Sequence, residues 1–196
     1  MTLSEFQADL RRAYVGGGPG AVVSGLVWLV AAIVTARHGV GVGYSALFFG
    51  GFLIFPLGML AVKLLFRPAP EAKGNPGGAL VMETLPAMLG VLAFGFLLVG
   101  LRPDWVFPLA AIAVGAHYFP FRTAYGDRTY WALGAAMTAV GALAIWTEAL
   151  EASLVPWLIA ALEIAFGSWL IVRRRHAKEF GSAPTSKEGN TKRPGI

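Results

Sequence analysis

The chain contains no cysteine, and charged residues occupy only 14% of its 196 positions. Without a thiol there is no disulfide framework, no thiolate metal site and no cysteine nucleophile, so the redox compartment leaves no mark on the sequence. A soluble domain carries about 25% charged residues. This chain, 56% hydrophobic, is matched instead to a bilayer. Serine occurs in no Gly-x-Ser-x-Gly arrangement, and the glycines from Gly16 to Gly20 follow no strand, which argues against a phosphate-cradling loop and for a flexible bend. The first twenty residues are polar and amphipathic, so no secretory signal peptide is expected.

Positive charge is present but concentrated. From Arg173 onward the chain holds seven basic residues (Arg173, Arg174, Arg175, Lys178, Lys187, Lys192 and Arg193) against two acidic ones (Glu179 and Glu188), a surplus equal to the whole net charge of +5. The remainder is neutral. The basicity therefore reads as a membrane-orientation signal, and no nucleic-acid partner is expected.

A helix that crosses a membrane needs about 20 mostly apolar residues, because all its backbone hydrogen bonds must close internally across roughly 30 Å of hydrocarbon. Six segments qualify: Gly20–Thr35, Val42–Lys63, Ala79–Leu101, Asp104–Phe121, Tyr130–Trp146 and Leu154–Val172. Only Arg102 and Pro103 separate the third from the fourth, which calls for a tight turn. With six spans, one side of the membrane receives 14 of the Lys and Arg residues, and the other receives two, Arg37 and Arg102. The positive-inside bias makes the rich side cytoplasmic. The expectation is an all-α integral protein of a bacterial inner (plasma) membrane, a six-transmembrane-helix bundle over residues 20–173 with both termini cytoplasmic.

Both ends extend beyond the spans. Thr2 and Glu5 make a capping-box pattern, and Leu3, Phe6, Leu10 and Tyr14 recur at helical spacing, so residues 1–15 read as an amphipathic interfacial helix. Residues 174–196, rich in Gly, Ser, Pro, Thr and Lys without apolar periodicity, read as a disordered basic cytoplasmic tail. Lys63 and Arg67 read as snorkelling residues in contact with anionic lipid headgroups. An internal echo joins Gly51 and Pro56 to Gly115 and Pro120, each glycine five residues before its proline and the pairs 64 residues apart. It is consistent with three repeated helical hairpins.

An ionisable residue inside a span costs at least a few kcal/mol and is a candidate functional position. Glu83, His117 and Glu163 are the three. Glu83 and His117 fall at one depth on adjacent antiparallel segments, and Glu163 lies near the middle of the last. Pro120, lacking an N–H, frees a carbonyl near Ala116 beside His117. Imidazole there can relay a proton, hold a metal with the two carboxylates, or bind a substrate. The plainer readings are a His117 bonded to a carbonyl or to Tyr118, and a Glu83 paired with Arg122 or Arg128. Small-residue spacings such as Gly134 with Thr138 are ordinary helix packing, and the six tryptophans lie mostly near span ends as interfacial anchors.

Around His117-Tyr118-Phe119-Pro120-Phe121 the sequence resembles small bacterial multi-span membrane proteins grouped as a family of unknown function, over roughly Phe6 to Arg175. The resemblance implies a compact helical membrane domain and no known activity. The leading functional reading is a small-solute or ion transporter, or a ligand-binding membrane protein, with a cytoplasm-facing polar pocket of Glu83, His117 and Glu163 rimmed by Tyr118 and Arg122. The alternative is a non-catalytic accessory or interaction protein of the inner membrane. An intramembrane enzyme ranks last, since no nucleophile or dense ligand cluster is present, and no catalytic residue, resident metal or cofactor is expected. The oligomeric state is not legible.

Overall fold

The computed structural model describes residues 1–147 and 150–181, with backbone only for 175–181. The regular structure of these residues is entirely helical. Helix α1 (Leu3–Ala13) begins with the anticipated capping box. The Glu5 N–H donates to Thr2 Oγ1, and the Thr2 N–H returns a 2.7 Å bond to the Glu5 carboxylate. The flexible bend read from the glycine run is instead a pinned elbow. Gly16 and Gly17 take left-handed φ values of 65° and 81°, open to glycine at little cost. The hydroxyl of Tyr130 donates to the Gly16 carbonyl at 2.5 Å.

Helices α2 (Gly18–His38) and α3 (Val40–Leu65) form a hairpin closed by the single residue Gly39, whose φ of 85° turns the chain. The third apolar segment is broken into α4 (Gly77–Met82) and α5 (Leu85–Leu101). Pro86 has no N–H to give to Met82, and the Thr84 hydroxyl satisfies the Val81 carbonyl at 2.9 Å. Helix α6 (Pro103–Tyr125) follows at once, with Pro103 in its first turn and Arg102 paired to Asp104 at 2.9 Å. Helix α7 (Thr129–Trp146) and helix α8 (Val155–Gly181) complete the bundle. Helix α8 runs beyond residue 174, where the tail was expected to begin, and 182–196 lie outside the described residues.

Five helical stretches are long and apolar enough to cross a membrane: Val15–His38, Val40–Leu65, Gly77–Leu101, Thr129–Trp146 and Ala152–Arg174. Large apolar side chains point outward from α3 and α5, with Phe49 and Leu97 each 63% exposed. Such faces suit lipid. Helix α6 is the polar exception and is wrapped by its neighbours, with Val106, Phe107, Ala110, Ala111 and Tyr118 buried along it.

Glycine sets the tightest contacts. A Cβ on Gly115 would stand 2.8 Å from the Gly134 carbonyl oxygen, and one on Gly134 would stand 2.7 Å from that of Gly115. Gly18 of α2 and Gly167 of α8 repeat the relation, at 2.8 and 2.6 Å. Backbones meet directly at these points, the small-residue packing of helices in lipid. At the α1 end, Arg173 of α8 pairs with Asp127 in the α6–α7 turn.

Gly115→Val forces α6 from α7 and is expected to destabilise by about 1–3 kcal/mol. Gly90→Val, where an added Cβ meets nothing within 4 Å, is the control and is expected to match wild type in detergent thermal melts. Equal melting of the two variants would refute the close approach.

Candidate functional site

Three helices meet around one buried carboxyl. Glu163, in the third turn of α8, is fully buried, and the Tyr118 hydroxyl from α6 donates to its Oε1 at 2.7 Å. Its Oε2 has no hydrogen-bond partner among the described residues. Ser24 of α2, only 4% exposed, lies beside the pair and interacts with both side chains. An aromatic wall surrounds them: Tyr130 stacks on Tyr118 with centroids 6.2 Å apart, and Phe121 lies 5.2 Å from Tyr118. The Tyr118 hydroxyl satisfies one oxygen of the Glu163 carboxyl, which offsets part of the cost of taking both groups out of water.

The neighbouring residue does something different. His117 Nδ1 lies 2.6 Å from the hydroxyl of Thr84, at the break between α4 and α5. Glu83 is exposed, and neither a hydrogen bond nor an ion pair joins it to His117 among the described residues. The antiparallel segments do converge at this depth, but threonine makes the contact. Arg122 points away, its guanidinium 5.2 Å over the ring of Trp131, and it too is absent from the ion pairs among the described residues. Tyr118 with Glu163 is thus one unit and His117 with Thr84 another.

Both units border a cleft of about 530 Å³. Its sides are α3 on one hand and α4 with α5 on the other, and α2 and α6 form its deep wall. Ser24, Trp28, Phe48, Met88, His117 and Tyr118 are among its lining residues, and no Lys, Arg, Asp or Glu lines it. Far from α1 the cleft is shut. There the Tyr44 hydroxyl donates to the Leu92 carbonyl at 2.5 Å, and Phe96 packs edge-on against both Tyr44 and Phe48 at 5.1 Å.

Helix α1 supplies the other end through Leu10 and Tyr14. Polar bonds hold it on two sides. Gln7 Nε2 donates to the Thr123 carbonyl at 2.8 Å and Arg11 to that of Tyr125 at 2.6 Å, both at the end of α6. Toward the α3–α4 connection, Arg12 donates to the Ala69 carbonyl at 2.6 Å and Asp9 accepts from Asn75 at 2.8 Å and the Ala72 N–H at 2.9 Å. Those two bonds, the Asn75 amide first, hold the Asp9 carboxyl below the usual carboxylate range. Tyr14 donates to Glu71, and burial followed by that carboxylate pushes its phenol up to about 12.

The family model whose span coincides with this architecture matches residues 3–173, from the start of α1 into the last turns of the described α8 side chains. The chain belongs to that family. It is a family of unknown function, DUF7010. No curated protein and no solved structure matches the chain. The family region includes the cleft, the α1 floor and both polar units. Among the described residues no group of three His, Asp or Glu side chains is placed to hold a metal ion.

Of the ionisable candidates Glu83, His117 and Glu163, the last two belong to these units, joined by Tyr118 of the expected rim, whereas Ser24, Thr84, Tyr125 and Tyr130 were not among the candidates. Their available signal was a neutral hydrogen-bonding group within an apolar segment. Tyr118→Phe leaves the Glu163 carboxyl without its donor and is expected to cost about 1–3 kcal/mol. Combining it with Glu163→Leu should recover part of that loss in unfolding measurements in mixed micelles. A Tyr118→Phe protein as stable as wild type would show that the contact does not form.

Proposed function

We propose that the protein crosses its membrane six times and holds an apolar small molecule, taken from the bilayer, in the cleft between α3 and α4–α5. For the sixth span the support is length and burial. Helix α6 has 23 residues, about 34 Å of helix, and Tyr118 and Tyr125 are buried by neighbouring helices along with its small apolar residues. The 14 to two division of basic residues favours the α1 end as cytoplasmic, in a bacterial inner membrane. The hairpin repeat has less support, because Gly51 faces open space while Gly115 is packed on Gly134. The cysteine-free chain permits a direct topology test. Single cysteines at Lys73 and Arg128 should react with an impermeant maleimide only in inverted vesicles, and one at Arg102 only in right-side-out preparations. Labelling of residues 102 and 128 from the same side would remove α6 from the spans.

One observation carries the binding reading: an apolar-walled cleft of about 530 Å³ with a few polar side chains, Ser24, His117, Tyr118 and Tyr125, on its deep wall. Ligand pockets are typically about 300–1,000 Å³ and mostly apolar, with a few placed polar groups. Closure at Tyr44 and Phe96 gives the cleft one shut end, which favours holding over conduction. The pocket expected from Glu83, His117 and Glu163 is thereby recast as a largely apolar one, with Glu163 one residue behind its wall.

Gly51 lines the cleft, and a Cβ added there meets nothing within 4 Å, so Gly51→Leu fills the space without disturbing the helices. In a thermal-shift screen of bilayer-soluble compounds, at least one is expected to raise the melting temperature of wild type and to bind the variant at least tenfold more weakly. The reading fails if no compound stabilises wild type or if Gly51→Leu responds equally.

A further inference from the structure

Building on that binding reading, we propose that the cleft selects a neutral amphiphile whose polar end is a hydrogen-bond donor, an alcohol on a long apolar body, with its hydroxyl given to Nε2 of His117.

Proton bookkeeping at Thr84 leads there. Its Oγ1 lies 2.9 Å from the Val81 carbonyl and 2.6 Å from His117 Nδ1. A carbonyl only accepts, so the first contact is a hydrogen bond only if Thr84 donates its single proton to it. The second is then a hydrogen bond only if Nδ1 carries a proton. Both bonds together place a proton on Nδ1; with no carboxylate on the apolar lining to pair with an imidazolium, the ring is neutral there and Nε2 is left as a lone-pair acceptor. No other partner takes Nε2 among the described residues, and His117 lines the cleft.

The remaining polar groups fit the same occupant. The Tyr118 hydroxyl is committed to Glu163, the Ser24 hydroxyl interacts with that same pair, and the Tyr14 hydroxyl is committed to Glu71. Tyr125, about 12 Å along α6 toward α1, adds a hydroxyl that can give or take and so discriminates nothing. With no basic side chain on the lining, a phosphate or carboxylate head would be desolvated without a counter-charge. The depth of His117 reinforces this, since a charged head belongs at the headgroup level and not two helical turns below the floor. A hydroxyl bonded to Nε2 is satisfied there at little cost.

The test uses the full-length protein in nanodiscs with three probes of one chain length: 1-hexadecanol, hexadecyl methyl ether and hexadecanoate. Wild type is expected to bind the alcohol about five- to tenfold more tightly than the ether, the value of one hydrogen bond, and the carboxylate most weakly. His117→Phe should bind alcohol and ether equally while keeping the wild-type affinity for the ether, a pattern that misfolding cannot produce. Thr84→Val, which frees the imidazole to move its proton, should narrow the ratio. Equal binding of alcohol and ether by wild type, or tightest binding of the carboxylate, overturns the donor-head assignment and leaves the binding reading standing. Failure of all three probes to bind wild type overturns both.

Discussion

A peptide group in hydrocarbon has no water to fall back on, and the whole structure follows from that constraint. It requires helices through every apolar segment and confines irregular backbone to the ends. Where the chain breaks within the apolar depth, a side chain takes over. Thr84 does so at the α4–α5 break through its bond to the Val81 carbonyl, and the Tyr130 hydroxyl caps the Gly16 carbonyl at the elbow into α2. The same constraint governs side chains, which is why the buried carboxyl of Glu163 meets a phenol.

Lipid supplies no hydrophobic force between helices, so close approach must do the work. The Gly115–Gly134 and Gly18–Gly167 contacts lock α6 to α7 and α2 to α8. Helices α3 and α5 lack an equivalent seam with each other, and the cleft lies between them. It is the place where the bundle is left unpacked, propped at one end by Tyr44 and Phe96 and at the other by α1. Bound apolar matter would supply the missing contacts. The α1 helix is thereby part of the cleft, through Leu10 and Tyr14, as well as an appendage at the membrane surface.

Much of the helical layout was legible because its signals are local. The capping box at Thr2 and Glu5, the Arg102–Pro103 turn and the long apolar segments each depend on residues close together in the chain. The site was legible only in part. Glu163 and His117 stood out because charge in an apolar segment is costly, but cost does not name a partner. Glu83, chosen by the same rule, is exposed, while Thr84 beside it reaches His117 because the break before Leu85 turns it toward α6.

By itself, then, the sequence determined a membrane-embedded helical chain with a strong bias of positive charge, since hydropathy and charge are sums over residues and need no knowledge of neighbours. Only the tertiary structure decided that Tyr118 pairs with Glu163, that Thr84 and not Glu83 meets His117, and that the space between α3 and α5 is an apolar cleft. Those outcomes depend on helix rotation and on which glycines let backbones touch, and rotation about a helix axis is set by packing across the bundle.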